Sequence, residues 1–226
     1  MQIDILQRPA STVAQVRLQT SEKISAEAGA MVAMSPNINI ETSTMAKNRG
    51  GIISGLKRMV GGESFFVNHF TAQADDSELF LAPTLQGDMF VLDLKPGESI
   101  IAQGGSWVAS ETGVGIDTTW QGFKNFLSGE SLFWLRLSGP GQVLLSSFGC
   151  VYTVDVDGEY IVDSGHIVAF EPTLEFKLTK AGKSWISSIL GGEGLVCRFQ
   201  GRGRLWCQSH SPQSFGKTLG PKLKAR

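Results

Sequence analysis

The chain has 226 residues, of which 42% are hydrophobic and 18% are charged, a composition that excludes a disordered chain and indicates a packed globular protein. Its formal net charge of −1 hides an asymmetry, because none of the 21 acidic residues follows Glu193 whereas seven of the 20 basic residues do. This basic end predicts contact with an anionic partner or, more simply, a solvated tail. The basic residues concerned are Arg198, Arg202, Arg204, Lys217, Lys222, Lys224 and Arg226.

About residues 1–86 form the first of three stretches that contain the same succession of motifs. Val16–Ala28 has weak strand character, and the hexapeptide AGAMVA overlaps its end at Ala28–Ala33. Apolar residues then recur at helical spacing, which predicts a short amphipathic helix that ends in glycine. The positions on its apolar face include Ile52, Leu56 and Met59. The hexapeptide GGESFF follows at Gly61–Phe66.

About residues 87–148 repeat this order with clearer strands. Phe90–Gln103 alternates apolar and polar residues around a glycine turn, as half-buried strands do. The hexapeptide GGSWVA stands at Gly104–Ala109 and SGESLF at Ser128–Phe133. A second helical pattern lies between them and includes Trp120, Phe123 and Phe126. The turn at Gly139–Gly141 then predicts a hairpin that leads into a closing strand.

About residues 149–210 give the third copy. Tyr152–Ser164 alternates like a half-buried strand pair, and SGHIVA follows at Ser164–Ala169. A third helical pattern includes Trp185, Ile186 and Ile189 and precedes GGEGLV at Gly191–Val196. The turn at Gly201–Gly203 again predicts a hairpin. Residues 211–226 are then left as a basic C-terminal tail.

Two independent motifs that recur in the same order, about 60 to 75 residues apart, indicate an internal triplication. Each unit is predicted to run strand, turn, strand, short amphipathic helix and hairpin. We therefore expect an all-β body over residues 1–210. It should consist of three repeated β-sandwich units with pseudo-threefold symmetry and short connecting helices.

The segments GAMVAM, GLKRMVGGESFF and SGHIVAF together resemble a family of uncharacterised bacterial and archaeal proteins related to the mitochondrial biogenesis protein of the "altered inheritance of mitochondria" type. The resemblance covers about residues 1–210. It implies a fold similar to three fused copies of the tryptophan RNA-binding attenuation protein subunit, a short double-stranded β-helix, and a trimeric, ring-like assembly. The fungal relatives act at the mitochondrial inner membrane. The family supplies no catalytic or ligand-binding residue that could be transferred to this chain.

The sequence contains no catalytic or metal-binding motif that we recognise. His69, His166 and His210 fall in unrelated positions of their units, so we expect no catalytic histidine, no metal and no cofactor. All three units keep a glutamate next to the predicted helix end: Glu63, Glu130 and Glu193. We expect each to accept local backbone hydrogen bonds at its corner. Binding of a hard cation near a symmetry axis is the alternative.

Cys197 and Cys207 lie symmetrically about Arg202, so a tight turn there would make them neighbours on two strands. Two buried thiols are the simpler interpretation, and a redox pair is the alternative. The three cysteines form no C-x-x-C motif, and neither a signal peptide nor an apolar stretch of ~20 residues is visible. These features predict a reduced, cytoplasmic protein.

The sequence therefore predicts a non-enzymatic, oligomeric scaffold or interaction protein that forms a homotrimer. Its candidate interaction surface consists of the apolar positions of the three connecting helices: Ile52, Leu56, Met59, Trp120, Phe123, Phe126, Trp185, Ile186 and Ile189. With the lysines and arginines beside them, these residues would suit a membrane surface or a protein partner. Packing against the sheets or a neighbouring subunit is the alternative. The other function considered is a small-molecule or nucleic-acid binding module that uses clefts between repeats, although the acidic body disfavours nucleic acid.

Overall fold

A computed structural model of the chain describes residues 1–44, 66–117, 134–180 and 195–223, and strands make up most of them. The first nine are β1 (Gln2–Leu6), β2 (Val13–Leu18), β3 (Lys23–Glu27), β4 (Met31–Met34), β5 (Ile38–Thr44), β6 (Phe66–Ala72), β7 (Ser77–Leu81), β8 (Met89–Leu94) and β9 (Ser99–Gln103). The others are β10 (Trp107–Glu111), β11 (Gly115–Asp117), β12 (Trp134–Ser138), β13 (Gly141–Ser146), β14 (Val151–Asp163), β15 (Ile167–Phe170), β16 (Leu174–Lys180) and β17 (Leu195–Gln208). Short 3-10 turns lie at Gly104–Ser106, Ser164–His166 and Gly220–Lys222, and α1 is Pro212–Leu219. The prediction of an all-β protein is confirmed.

The alternation of side chains along β2 shows why these segments become strands. Ala14, Val16 and Leu18 are completely buried, whereas Gln15 and Arg17 between them are only half-buried. Because successive side chains in a strand point to opposite faces, β2 places one apolar face in the core and leaves a polar face outside. The same alternation buries Leu79 and Leu81 in β7.

The strands form three sheets, and the pairings between named strands are antiparallel. The first sheet has the order β1-β2-β7-β4, and the second has the order β5-β6-β3-β10-β13-β8. The third has the order β11-β12-β9-β15-β17-β14, with β16 paired to β17 outside this path. Two pairings each join two groups of strands into one sheet: β3 with β10 links β5-β6-β3 to β10-β13-β8, and β9 with β15 links β11-β12-β9 to β15-β17-β14.

The two longest strands, β14 and β17, pair along their whole length. β17 changes its other neighbour midway, because its first half pairs with β16 and its second half with β15. Gly201, at the change, has a φ of +125°, in the left-handed region that favours glycine. The sheet therefore curls there without a break. The hairpin predicted at Gly201–Gly203 is wrong, since a glycine with positive φ bends a continuous strand here.

The hairpin predicted at Gly139–Gly141 is also wrong. β12 pairs with β9 and β11, whereas β13 pairs with β8 and β10. The short connection, in which Gly141 has a φ of +134°, therefore carries the chain from the third sheet to the second.

Three apolar clusters fill the spaces beside the sheets. The first lies between the first and second sheets and includes Phe70, Leu81 and Leu144. The second lies between the second and third sheets and includes Trp107, Leu137 and Val168. The third lies inside the curl of the third sheet, where Phe170, Phe176 and Phe199 form a group of aromatic rings with centroids 4.9 to 5.6 Å apart.

Not every sequence-based prediction falls on the described residues. The three connecting helices expected near residues 52–60, 120–127 and 185–190 lie outside the described residues. The C-terminal tail expected over residues 211–226 contains α1, which begins after the N-cap Ser211, whose side chain accepts a hydrogen bond from the backbone N–H of Ser214.

A close backbone contact at Gly87 secures the connection between β7 and β8. Its carbonyl accepts hydrogen bonds from the backbone N–H of Thr12 at 3.1 Å and from the Thr12 hydroxyl at 2.9 Å. A Cβ atom on Gly87 would collide with the carbonyl oxygen of Ser147 and lie 2.8 Å from backbone atoms of Gly149. Only glycine fits because the obstructing atoms belong to the backbone.

We expect Gly87→Ala to lower the free energy of unfolding by about 2 kcal/mol, because the backbone must separate to admit the methyl group. The midpoint of urea denaturation measures the change. Gly105→Ala is the matched control, since a Cβ atom at Gly105 meets no heavy atom within 4 Å. Equal midpoints for the two variants would contradict the predicted clash.

Candidate interaction interface

β4 is a sheet edge whose apolar side chains are exposed. One side of β4 pairs with β7, and no strand in the described part of the chain pairs with its other side. The side chain of Val32 is 60% exposed, that of Met31 38% and that of Met34 37%. A strand edge presents unpaired backbone N–H and C=O groups, and proteins usually protect such edges with charges, proline or a covering segment. An open apolar edge is therefore a candidate binding surface.

The two other strands that contain the same hexapeptide motif are buried. Residues Trp107, Val108 and Ala109 of β10 are at most 1% exposed, and the same holds for residues 167–169 of β15. Each of these strands has a neighbour on both sides, because β10 pairs with β13 and β3, and β15 pairs with β17 and β9. The exposure of β4 thus accompanies the lack of a second neighbour among the described strands, since the motif is shared by all three strands.

A second apolar edge lies at the end of β14. Glu159–Asp163 pairs with β17 on one side, and no described strand pairs with the other side. Tyr160 is 42% exposed and Ile161 49% exposed, whereas Val162 between Ile161 and Asp163 points into the third apolar cluster. The molecule therefore has open edges with exposed apolar side chains on its first and third sheets.

We call the pairings of β3 with β10 and of β9 with β15 joints. The joint of β3 with β10 differs from that of β9 with β15 because it contains polar side chains. The hydroxyl of Ser25 lies 2.8 Å from Nδ1 of His69, and the hydroxyl of Ser43 lies 2.8 Å from Nε2 of the same ring. Ser25 faces the buried Ser110 across the joint. His69 thus links β3, β6 and β5 by side-chain hydrogen bonds, a structural use of the imidazole.

The other two histidines have separate partners. Nδ1 of His166 lies 2.8 Å from the backbone carbonyl oxygen of Gln208, and Nδ1 of His210 lies 2.8 Å from the Ser209 hydroxyl. Within residues 1–44, 66–117, 134–180 and 195–223, no group of three or more His, Cys, Asp and Glu side chains is arranged to hold a metal ion. The three glutamates singled out in the sequence, Glu63, Glu130 and Glu193, lie outside those ranges.

Cys197 and Cys207 lie near opposite ends of the continuous strand β17, so the expectation that they are cross-strand neighbours is wrong. Cys197 pairs with Val162 of β14, and Cys207 pairs with Tyr152. Both thiols are free and buried, as the simpler interpretation predicts. Burial raises the pKa of Cys197 to about 12 and that of Cys207 to about 11, which keeps both thiols protonated and unreactive.

The arginines of β17 are paired with carboxylates of β14. Distances between charged atoms are 2.6 Å for Arg198 with Glu159, 2.9 Å for Arg202 with Asp157 and 2.9 Å for Arg204 with Asp155. The aromatic residues between these arginines, Phe199 and Trp206, are buried and not available for base stacking. The basic end of the sequence is thus largely neutralised where it runs through the sheet.

The C-terminal helix presents apolar residues to solvent beside lysines. Phe215 and Leu219 are exposed, and their spacing of four residues places them on one side of α1. Leu223, which is also exposed, follows the 3-10 turn Gly220–Lys222. Phe215 also contacts Phe148, with ring centroids 5.4 Å apart. Lys217 and Lys222 belong to the same segment. Among the described residues, no helix is long and apolar enough to cross a membrane.

The candidate interaction surface proposed from the sequence falls entirely outside the described residues. Its members are Ile52, Leu56, Met59, Trp120, Phe123, Phe126, Trp185, Ile186 and Ile189, and their role stays a prediction. Sequence reasoning missed the open edges of β4 and β14. No local signal could have found them, since the hexapeptide pattern is the same in β4, where it is exposed, as in β10 and β15, where it is buried.

Comparison with known proteins places the chain in a family. The family model described as Mitochondrial biogenesis AIM24 matches residues 3–210. The chain belongs to this family. The resemblance inferred from the hexapeptide segments is thereby confirmed.

Two relatives of this AIM24-family chain come from Streptococcus pyogenes. One, from serotype M6, is described as an uncharacterized protein and is 27% identical over 211 residues, which cover 91% of this chain and 84% of the relative. The other is an X-ray crystal structure with a TM-score of 0.79 and 25% sequence identity, covering 98% of this chain and 99% of that chain. The fold described above therefore has a close experimental counterpart.

Glu27 ends β3, next to the pairing with β10, and is partly withdrawn from solvent. Burial raises its pKa from 4.5 to about 7. The folded protein therefore holds this proton more tightly than the unfolded chain does. The contribution of Glu27 to stability consequently falls as the pH rises from about 4.5 to about 7.

We expect Glu27→Gln to raise the free energy of unfolding at pH 8 by roughly 1 to 2 kcal/mol relative to the native chain, and by much less at pH 4.5. This range is smaller than the full pKa shift implies, because the carboxyl group keeps some contact with water. Urea denaturation at both pH values measures the difference. Glu41→Gln, at an exposed position of β5, is the control. A gain that is equal at both pH values would contradict the assignment to the buried carboxyl.

Proposed function

We propose that this protein is a non-enzymatic scaffold that acts by assembling with copies of itself. The observation that carries the proposal is the open edge of β4, where Met31, Val32 and Met34 are exposed although the same motif is buried in β10 and β15. An apolar strand edge left in water favours strand addition or aggregation. Pairing with another copy would protect the edge and produce a defined oligomer, for which we propose a homotrimer on the strength of the family resemblance.

We also propose that the chain is a row of three homologous units, about residues 1–86, 87–148 and 149–210. In support, each stretch pairs its strands in the same way. β7 pairs with β2 and β4, β13 pairs with β8 and β10, and the second half of β17 pairs with β14 and β15. β6 pairs with β3 and β5, β12 with β9 and β11, and the first half of β17 with β14 and β16.

An irregularity in the ladders supports the same assignment. The register shifts between Met31 and Ala33 in β4, between Trp107 and Ala109 in β10, and between residues 167 and 169 in β15. In each case the skipped residue is the valine of the hexapeptide motif. A bulge at an equivalent position is a specific feature of a backbone, and its recurrence favours common descent of the three units.

Joints between consecutive units explain why a row of three has two free ends. The strand that contains the end of the hexapeptide in one unit pairs with the strand that precedes the hexapeptide in the unit before it, as β10 does with β3 and β15 does with β9. By this rule the described strands include no such neighbour for β4 in the first unit or for Glu159–Asp163 in the third. A row of this kind is suited to build larger closed or extended assemblies.

We expect Val32→Lys to weaken self-association at least ~100-fold, because a neighbour strand would bury the valine position and an unpaired ammonium group there is costly. Native mass spectrometry over a range of protein concentrations measures the number of copies. Ile40→Lys is the matched control, since Ile40 is 40% exposed on the outer edge strand β5. A native chain that stays monomeric at all concentrations tested would contradict the scaffold proposal.

Peripheral contact with an anionic lipid surface is a second candidate function, and it is favoured by the C-terminal segment. Phe215 and Leu219 of α1 and Leu223 after it are exposed, and Lys217 and Lys222 supply positive charge. Short amphipathic segments of this type insert apolar side chains at the headgroup boundary while lysines approach anionic lipids. The connecting helices predicted from the sequence would add to such a surface.

We expect the native chain to co-sediment with vesicles that contain phosphatidylserine and not with vesicles of phosphatidylcholine alone. Replacing both Leu219 and Leu223 by serine should lower the bound fraction roughly tenfold, since two partly inserted side chains are lost. Ile40→Ser controls for the loss of an exposed apolar residue elsewhere. Equal binding of all variants would contradict a role for the C-terminal segment.

A further inference from the structure

The edge of β4 and the edge at Glu159–Asp163 have the features of the two halves of one joint. We propose that β4 of one copy pairs, antiparallel and head to tail, with residues Glu159–Asp163 of β14 in the next copy. This inference rests on the proposed function and names the partner surface that the scaffold uses. It makes the contact between copies a third instance of a joint that occurs twice inside each chain.

The internal joints define the expected register. Ala109 of β10 lies opposite Ala26 of β3, and Ala169 of β15 lies opposite Ala102 of β9. Both of these facing alanines follow the bulged valine of the motif by one residue. Ala33 stands at that position in β4.

The other strand of each joint can be aligned in the same way. Ala26 and Ala102 are the fourth residues of their five-residue strands β3 and β9. Val162 holds that place in Glu159–Asp163, so Ala33 is expected opposite Val162. In each internal joint the next residues along the two strands also face each other, as Ser110 does Ser25 and Phe170 does Ile101. The corresponding pair between copies is Met34 opposite Ile161.

The side chains brought together by this register are the exposed apolar ones. In the joint of β9 with β15, Ile101 is completely buried in the third apolar cluster together with Ile167 and Phe170. Equivalent positions between copies are Ile161, Met31 and Met34, which are 49%, 38% and 37% exposed in the single chain. The proposed joint would therefore cover all three, as its internal counterpart does.

The resulting sheet would have an order already present in the molecule. In the second sheet, the strands β5-β6-β3 are joined to the strands β10-β13-β8 by the pairing of β3 with β10. Between copies, β16-β17-β14 would meet β4-β7-β2, with β1 as a further strand beyond β2. Backbone hydrogen bonds would thus continue across the contact and leave neither strand edge open.

A head-to-tail joint differs from a symmetric contact between two β4 edges, and cross-linking separates the two. Met34→Cys and Ile161→Cys are made on separate chains with different affinity tags, each with Cys150→Ser, because Cys150 is the exposed native thiol. The two chains are co-expressed and oxidised, and covalent dimers are counted on a non-reducing gel. Directly opposed positions in a sheet bring Cβ atoms close enough for a disulfide.

We expect a mixed dimer of the Met34→Cys and Ile161→Cys chains, at least ~10-fold more abundant than either self-dimer. The pair Ile40→Cys with Ile161→Cys is the matched control and should give no such product. Self-dimers of the Met34→Cys chain would overturn the inference in favour of a symmetric contact.

Native mass spectrometry of the same uncross-linked samples separates failure of the joint from failure of the scaffold. Oligomers that persist without any mixed disulfide would overturn the proposed joint and leave self-assembly in place. A monomer in every sample would overturn both. A mixed disulfide in an oligomer supports both, and the chain carrying both cysteines should then give a covalent ladder that ends where the ring closes.

Discussion

A β-strand directs half of its backbone N–H and C=O groups to each side, and each side needs a hydrogen-bond partner or water. In this protein the overall arrangement depends on the pairings of β3 with β10 and of β9 with β15, because each joins two groups of strands into one sheet. They bring the first and second sheets, and then the second and third, close enough to enclose the apolar clusters between them. Without these two contacts, Val108 and Ile101 would be exposed in the way that Val32 and Ile161 are.

The apolar clusters and the joints depend on each other. Ile101 faces the third cluster while Ile100 and Ala102, its neighbours on β9, face the second. One strand in a joint therefore contributes to the packing on both of its faces. This explains why an open joint exposes large side chains rather than only backbone. The apolar exposure of β4 and of Glu159–Asp163 therefore occurs where no described strand pairs with the outer side of the sheet.

Much of the architecture follows from local patterns. Alternation along Phe90–Gln103 and Tyr152–Ser164 predicts half-buried strands, and the end of each copy of the hexapeptide lies in β4, β10 or β15. A local sequence pattern does not predict the structure where the same residue type is compatible with two backbone geometries. Glycine at position 201 permits positive φ, which is needed equally by a hairpin and by a bend in a continuous strand, and the sequence does not separate these uses. The error over Cys197 and Cys207 came from the same assumption.

The exposed edges of β4 and β14 were not predicted from the sequence for a different reason. Met31-Val32-Ala33 and Trp107-Val108-Ala109 match the same motif, yet one is exposed and the other buried. Burial in a sheet depends on which segment becomes the neighbour, and pairings such as that of Ala26 with Ala109 join residues far apart in the sequence. Periodicity reports the two faces of a strand and says nothing about its two edges. The candidate surface was therefore placed on the connectors, where amphipathic spacing is visible.

The side chains that face each other in the internal joints are not interchangeable. Ser25 faces Ser110 and its hydroxyl is hydrogen-bonded to His69, whereas Ile101 faces Phe170 among apolar side chains. If β15 paired with β3 in place of β10, Ser25 would meet Phe170, and a hydroxyl would be buried against a phenyl ring. The difference between the two sets of facing side chains therefore disfavours mispaired sheets and helps each strand to select its own neighbour during folding.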